Sequence, residues 1–189
     1  LVPNTKGLEN ALSVGVKEIS CFTAASDAFN QKNINCTISE SLERIESLIA
    51  MAKANDLPVR GYVSCVAGCP YQGEVSTADV VRVVERLLEL GCYEISLGDT
   101  IGVGTPGKIT ALLDVLMQSC PVENLALHLH DTYGQALANI YAGLNQGVRI
   151  FDSSVAGLGG CPYAAGASGN VATEDLVYLL NGQGLTSGV

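Results

Sequence analysis

Apolar residues follow two alternating patterns along the chain. Short, nearly continuous apolar runs predict buried strands, and longer stretches with an apolar residue at every third or fourth position predict amphipathic helices. Strands are predicted over residues 17–22, 59–66, 92–97, 125–130 and 148–155, and helices over 39–54, 77–90, 106–118, 132–146 and 172–180. Five successive strand–helix units with brief connections imply an α/β fold with a parallel sheet and right-handed crossovers.

Turn and capping residues support these boundaries. Ser39 is the expected N-cap of the first predicted helix, and Gly91 closes the second. Pro106 stands in the first turn of the third helix, where its missing N–H costs nothing.

Two parallel-sheet architectures are compatible with this pattern, an open doubly wound sheet and a (β/α)₈ barrel. Polar residues stand at the ends of most predicted strands, among them Ser26, Asp99, His128 and His130. Such residues converge on one mouth in a barrel, whereas a doubly wound sheet concentrates them at one switch point, so the pattern favours the barrel. A complete barrel needs eight units and about 250 residues. Residues 1–189 are therefore predicted to form one catalytic-barrel domain, incomplete at the N-terminus and slightly short at the C-terminus.

Composition excludes several classes of partner. The net charge of −9 argues against binding nucleic acid through a broad basic surface. No apolar run approaches 18 residues, so a membrane span is not expected. The seven cysteines are scattered, without a CxxC pair, which favours a reducing, intracellular compartment. Cys21 and Cys92 lie in or beside apolar runs and are expected to be core residues.

The only two histidines, His128 and His130, stand at the end of the fourth predicted strand. Residues i and i+2 of a strand point to the same face, so the two imidazoles form half of a divalent-metal site. Two packed or surface histidines are the alternative interpretation. Ligand type alone does not identify the metal, since imidazole nitrogen suits zinc more obviously than magnesium or manganese.

Three further residues carry both a functional and a structural interpretation. Asn170 can supply an amide oxygen to a hard cation or can cap the last helix. Cys161 follows a glycine-rich stretch that predicts a mobile loop, where its thiol can act as an acid or a nucleophile; a buried thiol is the alternative. Asp99 lies at the end of the third predicted strand. Its carboxylate can be functional, or it can be a structural hydrogen-bond acceptor.

These motifs together resemble the 3-hydroxy-3-methylglutaryl-coenzyme A lyases. The resemblance is most specific at residues 153–163, Ser-Ser-Val-Ala-Gly-Leu-Gly-Gly-Cys-Pro-Tyr, followed by Gly-Ala-Ser-Gly-Asn at 166–170. Residues 32–36, 60–65, 96–104 and 128–139 resemble the same family, so the likeness extends over essentially the whole chain.

The resemblance implies a retro-Claisen cleavage that yields acetoacetate and acetyl-coenzyme A with the help of Mg²⁺ or Mn²⁺. The implied metal ligands are His128, His130 and Asn170, and His128 counts among the catalytic residues as well. Cys161 corresponds to the catalytic thiol that protonates the leaving enolate, and Asp99 to a residue important for activity. Lys32 and Asn33 correspond to the region that meets coenzyme A.

The chain departs from the family pattern in one respect. The family's metal-binding aspartate and the arginine beside it belong to a first strand that these 189 residues do not contain, so the segment alone is expected to be inactive. The acyl-CoA substrate is the expected partner, and the full-length protein is expected to be a homodimer. The expected compartment is the bacterial cytoplasm, or the mitochondrial matrix in a eukaryote.

Two other functions remain open. One is a barrel synthase or aldolase of the isopropylmalate or homocitrate synthase type, which shares the His-x-His strand but does not need a loop thiol at position 161. The other is a non-catalytic metal-binding domain that has kept the fold.

Overall fold

A computed structural model describes residues 1–160, 162 and 169–189 of the chain. Its strands are β1 (Ile19–Ala24), β2 (Val59–Ser64), β3 (Glu94–Asp99), β4 (Leu125–Leu129) and β5 (Ile150–Asp152). Its α-helices are α1 (Thr5–Ser13), α2 (Asp27–Ile34), α3 (Ile38–Lys53), α4 (Thr77–Leu90), α5 (Pro106–Leu116), α6 (Ala136–Asn145) and α7 (Thr173–Gly182). Short 3₁₀ turns lie at Val122–Asn124 and Val155–Gly157.

The sheet confirms the barrel prediction over the doubly wound alternative. All five strands are parallel, and their order in space is β1-β2-β3-β4-β5, the order in the chain. A doubly wound sheet reverses its strand order at a switch point, and this sheet does not. Helices α3 to α7 each contact the next one along the chain, as an outer layer around a partial barrel requires.

The two faces of the sheet differ in polarity. The face toward the helices carries closely packed apolar side chains, including Val63, Ile95, Leu97 and Leu127, none of them more than 1% exposed. The inner face carries polar residues in register, with Arg60 opposite Glu94 and His128 opposite Asp152. Because both faces are covered in a closed barrel, the inner polar groups must bond to one another or to a ligand.

Several predicted boundaries shift, and two helices were missed. The N-cap of α3 is Thr37, not Ser39: its hydroxyl accepts the Glu40 N–H while the Glu40 carboxylate accepts the Thr37 N–H, a complete capping box. Helix α1 lies before β1, and α2 lies in the connection after it, so the first crossover contains two helices. The sequence pattern hides α2 because its apolar residues follow no clear helical stripe.

Helix α6 and strand β5 are shorter than predicted. Residues before Ala136 form a turn around Asp131, whose carboxylate accepts the Ala136 N–H at 2.9 Å. Gly134 takes a φ of +67° in that turn, so α6 begins four residues after the predicted start. Strand β5 ends at Asp152 because the backbone of Ser154 pairs instead with Val171. Within the described residues, no helix combines the length and the apolar character that a membrane crossing requires.

Candidate functional site

A cleft of about 650 Å³ opens at the carboxyl ends of the strands. Each of β1 to β4 contributes to its wall, with Phe22, Tyr62, Gly98 and His128 among the lining residues. This is the end of a (β/α)₈ barrel at which active sites are built.

The two histidines share one face, as the strand periodicity predicts. Both line the cleft, and their ring centroids are 5.5 Å apart. His130 is 6% exposed, while the His128 side chain keeps 32% of its surface open. Burial and the neighbouring His128 lower the pKa of His130, although hydrogen-bonding groups on Thr100 and Asn170 partly oppose the shift. The His130 imidazole is therefore neutral at pH 7, the form that binds a metal.

Asn170 is brought to His130 through the backbone. The two residues form an antiparallel bridge, with the Asp131 N–H donating to the Gly169 carbonyl at 3.0 Å. The Asn170 amide donates to the Leu158 carbonyl at 3.1 Å, and its side chain also lies within hydrogen-bonding range of the His130 ring. Asn170 does not cap α7, whose N-cap position is Ala172.

This donor set fits a divalent cation. His130 Nδ1 is buried and has no hydrogen-bond partner among the described residues, a costly state that a bound ion relieves. Two imidazoles line the cleft, and Asn170 lies beside one of them, His130. Within residues 1–160, 162 and 169–189, no group of three His, Cys, Asp or Glu side chains is arranged to hold a metal. The imidazole pair and Asn170 are therefore the donors that the described chain supplies.

A charged network lies on the inner face next to His128. Its centre is Arg60, whose guanidinium donates to the Glu94 carboxylate and to the Tyr62 hydroxyl. The same guanidinium reaches Asp152, with NH1 2.9 Å from Oδ1 and 3.2 Å from Oδ2. Asp152 Oδ2 accepts from the Ser96 hydroxyl at 2.8 Å and lies 3.2 Å from His128 Nδ1.

The network fixes charge at the base of the cleft. Burial disfavours the Asp152 carboxylate, but hydrogen bonds from His128 and Ser96, together with the Arg60 charge, outweigh burial and lower its pKa. Burial likewise acts against the Arg60 cation, yet Asp152 and Glu94 raise its pKa. Burial and the nearby Asp152 raise the pKa of Tyr62, so its phenol stays protonated. Arg60 and Asp152 thus form a partly buried ion pair beside His128.

Asp99 lies on the opposite face of the sheet from the two histidines. It pairs with Leu129 rather than with His128, and its carboxylate is fully buried. The carboxylate accepts the N–H groups of Val103 and Gly104 at 3.1 and 2.8 Å. Burial raises the pKa of Asp99, although these N–H donors oppose the shift. The structure therefore gives Asp99 a loop-holding contact, and its predicted importance for activity stays a prediction.

The remaining predicted residues lie around the cleft to different degrees. Asn33 lines the cleft from α2, and Lys32, its exposed neighbour, does not. Cys161 lies outside the described residues. Gly160 and Pro162, its neighbours in sequence, both line the cleft.

Sequence reasoning missed the network of Arg60, Glu94, Ser96 and Asp152. Arg60 and Glu94 each stand inside a run of apolar strand residues, and a charged residue at such a position signals an inward-facing partner. Which carboxylate meets Arg60 depends on strand register, and Asp152 is 92 positions away in the chain. Only the packed sheet shows that one aspartate joins the arginine to a histidine.

Comparison with known proteins gives a consistent result over the whole chain. A family model described as HMGL-like matches residues 1–189. The mitochondrial hydroxymethylglutaryl-CoA lyase of Gallus gallus is 60% identical over 189 residues, which are all of this chain and 63% of that protein. Relatives of similar identity have names that place them in mitochondria or in the cytoplasm. The chain thus spans about three fifths of the length of the curated relatives it matches.

Solved structures give the same result. The hydroxymethylglutaryl-CoA lyase from Pseudomonas aeruginosa superposes with a TM-score of 0.96 at 58% identity, over 100% of this chain and 63% of that chain. An HMG-CoA lyase from A. baumannii, solved in complex with coenzyme A and 3-methylmalate, gives a TM-score of 0.93 at 34% identity, over 99% of this chain and 61% of that one. The fold and the sequence therefore agree on one group of proteins.

Proposed function

Since the chain belongs to the HMGL-like family, we propose that it forms the larger part of a carbon–carbon lyase that cleaves 3-hydroxy-3-methylglutaryl-CoA into acetoacetate and acetyl-CoA. The observation that carries the proposal is the pair of cleft-lining imidazoles, His128 and His130, joined through the backbone to Asn170. That arrangement occurs in a chain whose 189 residues are 60% identical to the matching part of a lyase of this name.

His128, His130 and Asn170 are proposed to hold Mg²⁺ or Mn²⁺. When bound, the cation supplies Lewis-acid polarisation of the oxygen on C3 of the substrate. The metal assignment is supported by the buried His130, whose Nδ1 has no hydrogen-bond partner among the described residues, and by the face that the two rings share.

The chain's own side chains are proposed to orient the substrate and move its protons. His128 lies at the more open side of the pair, where its ring would lie against C3 of the bound substrate. The proton of the C3 hydroxyl is proposed to pass to a water molecule in the open cleft. As the C2–C3 bond breaks, its electron pair passes to the thioester as an enolate. The Cys161 thiol then donates its proton to that enolate carbon, while the loop that carries it keeps water from the cleft.

Other residues serve binding and position. Asn33, with Lys32 next to it on α2, is proposed to meet the coenzyme A portion at the rim of the cleft. Asp99 holds the loop at Gly102–Gly104, where Gly102 packs against Thr132, two residues after His130. Its contribution to activity is therefore proposed to be indirect. The homodimer and the compartment, bacterial cytoplasm or mitochondrial matrix, remain predictions.

The test is a chimera in which this chain replaces the matching 63% of the Gallus gallus lyase. We expect it to release acetoacetate from 3-hydroxy-3-methylglutaryl-CoA with Mg²⁺ or Mn²⁺ and to lose turnover after chelation. Cys161→Ala is expected to lower kcat at least about 100-fold, whereas Cys120→Ala, a buried thiol after α5, keeps turnover. A folded chimera without acetoacetate release would contradict the proposal, and condensation of an oxo acid with acetyl-CoA instead would favour a synthase.

A further inference from the structure

We infer that Asp152 is a positioning residue that fixes the proton of His128 on Nδ1 and so keeps Nε2 free to bind the cation. The inference rests on the proposed metal function, and it goes beyond it by assigning a role to a residue outside the ligand set. Its basis is the contact between Asp152 Oδ2 and His128 Nδ1 at 3.2 Å.

The neighbours of Asp152 determine which atom carries the hydrogen. Its Oδ1 accepts from the Arg60 guanidinium at 2.9 Å, and its Oδ2 accepts from the Ser96 hydroxyl at 2.8 Å. A carboxylate paired with a buried guanidinium has no proton to give. The hydrogen in the contact with His128 must therefore belong to Nδ1. When the ring carries a single proton, as a metal-binding imidazole does, Nε2 is then the unprotonated nitrogen.

Arg60 makes Asp152 rigid as well as charged. The guanidinium is held on its other side by Glu94 and lies over the Tyr62 ring, 4.8 Å from its centroid. Asp152 thus connects a fixed cation on β2 to a histidine on β4. Metal-binding histidines commonly donate their second ring nitrogen to a carboxylate in this way, which sets both the tautomer and the ring orientation.

Asp152→Asn gives a sharp test because the amide is asymmetric. Arg60 only donates, and its NH1 lies closer to Oδ1 (2.9 Å) than to Oδ2 (3.2 Å), so the amide oxygen is expected at the Oδ1 position and the NH₂ group in the place of Oδ2 beside Ser96 and His128. That NH₂ donates to Nδ1 and forces the His128 proton onto Nε2, the wrong tautomer for the cation. Glu94→Gln is the matched control, since it removes the other carboxylate on Arg60 and does not touch His128.

The experiment uses ¹⁵N-histidine labelling of the chain, which contains only two histidines. Long-range ¹H–¹⁵N spectra of the metal-free protein report the tautomer of each ring, and His130→Gln assigns the signals. We expect the Nδ1–H tautomer for His128 in the wild type and in Glu94→Gln, and the Nε2–H tautomer in Asp152→Asn. Mn²⁺ titration is expected to show binding weakened about 10- to 100-fold in Asp152→Asn and unchanged affinity in Glu94→Gln.

Each outcome decides a different point. An Nε2–H tautomer for wild-type His128 would overturn the inference without any variant, even if Asp152→Asn fails to fold. Equal losses of Mn²⁺ affinity in Asp152→Asn and Glu94→Gln would reduce Asp152 to a structural partner of Arg60 and also overturn it. A wild type that holds the Nδ1–H tautomer and binds no Mn²⁺ would overturn the proposed metal function while supporting the contact between Asp152 and His128.

Discussion

Gly169 places Asn170 next to His130, and Gly169→Ala should disrupt that placement. Its φ is +107°, a conformation that an L residue rarely adopts. A Cβ on Gly169 would lie 2.3 Å from the Gly157 carbonyl oxygen and 2.4 Å from that of Gly159. Both atoms belong to the backbone, so neither can rotate away as a side chain would.

Two costs add at this position. The backbone strain costs about 1–3 kcal/mol, and forcing a methyl group into a filled space costs about 1–3 kcal/mol. A combined loss near 4 kcal/mol lowers Tm by about 8–16 °C for a chain of this size. Because Gly169 also accepts the Asp131 N–H, its displacement should move Asn170 and weaken Mn²⁺ binding about 10-fold or more.

Gly184→Ala is the matched control. Gly184 has a φ of +72°, but no atom lies within 4 Å of its added Cβ. Gly184→Ala should therefore lose only the stability that backbone strain costs, about 1–2 kcal/mol, and the variant should keep its Mn²⁺ affinity. Thermal unfolding and Mn²⁺ titration of both variants test the reasoning. Equal melting temperatures for the two variants, or unchanged Mn²⁺ affinity in Gly169→Ala, would refute the close packing of Gly169 against the loop.

Three further predictions address the loop, the helix cap and the thiol. Asp99→Asn should destabilise folding by about 1–3 kcal/mol in denaturant titrations, because an amide NH₂ would face a buried N–H; no loss would refute the loop-holding role. The backbone N–H and hydroxyl of Thr37 lower the pKa of Glu40, so their stabilisation is present above the unfolded-state pKa of about 4.3 and is lost as pH falls through the lower folded value. Glu40→Gln should flatten the pH dependence of stability there, whereas a flattening of equal size in Glu43→Gln would contradict the capping assignment. Cys161→Ala should leave Mn²⁺ affinity and Tm unchanged in calorimetry, and a shift in either would point to a packing role.

Local periodicity predicts the fold well because each strand–helix unit is specified by its own residues. The bounds of α4, Thr77–Leu90, and its Gly91 cap are predicted correctly to the residue. The boundary errors arise where polar side chains bond to nearby backbone: Thr37 caps α3 because Glu40 returns the hydrogen bond, and Asp131 delays the start of α6. Both involve side chains that bond to the backbone a few residues away, which hydrophobic pattern does not encode.

The candidate site likewise has a part that the sequence predicts and a part that it does not. His128 and His130 are predictable because strand geometry places i and i+2 on one face. The partner of His128 is not, because Asp152 reaches it only through the register of β4 and β5. Asp99 shows the opposite case: its place at a strand end suggests the cleft, but alternation turns its carboxylate to the helix side, where Val103 and Gly104 bind it.

Pulsed EPR of Mn²⁺ bound to the ¹⁵N-histidine-labelled chain tests directly whether His128 and His130 ligate the cation. Only His128 and His130 carry the label, so every labelled nitrogen coupled to the ion comes from one of these two rings. We expect two coordinated imidazole nitrogens in the wild type and one in each of His128→Ala and His130→Ala. Bound Mn²⁺ with no coupling to labelled nitrogen, or with the same coupling in either variant as in the wild type, would contradict this expectation.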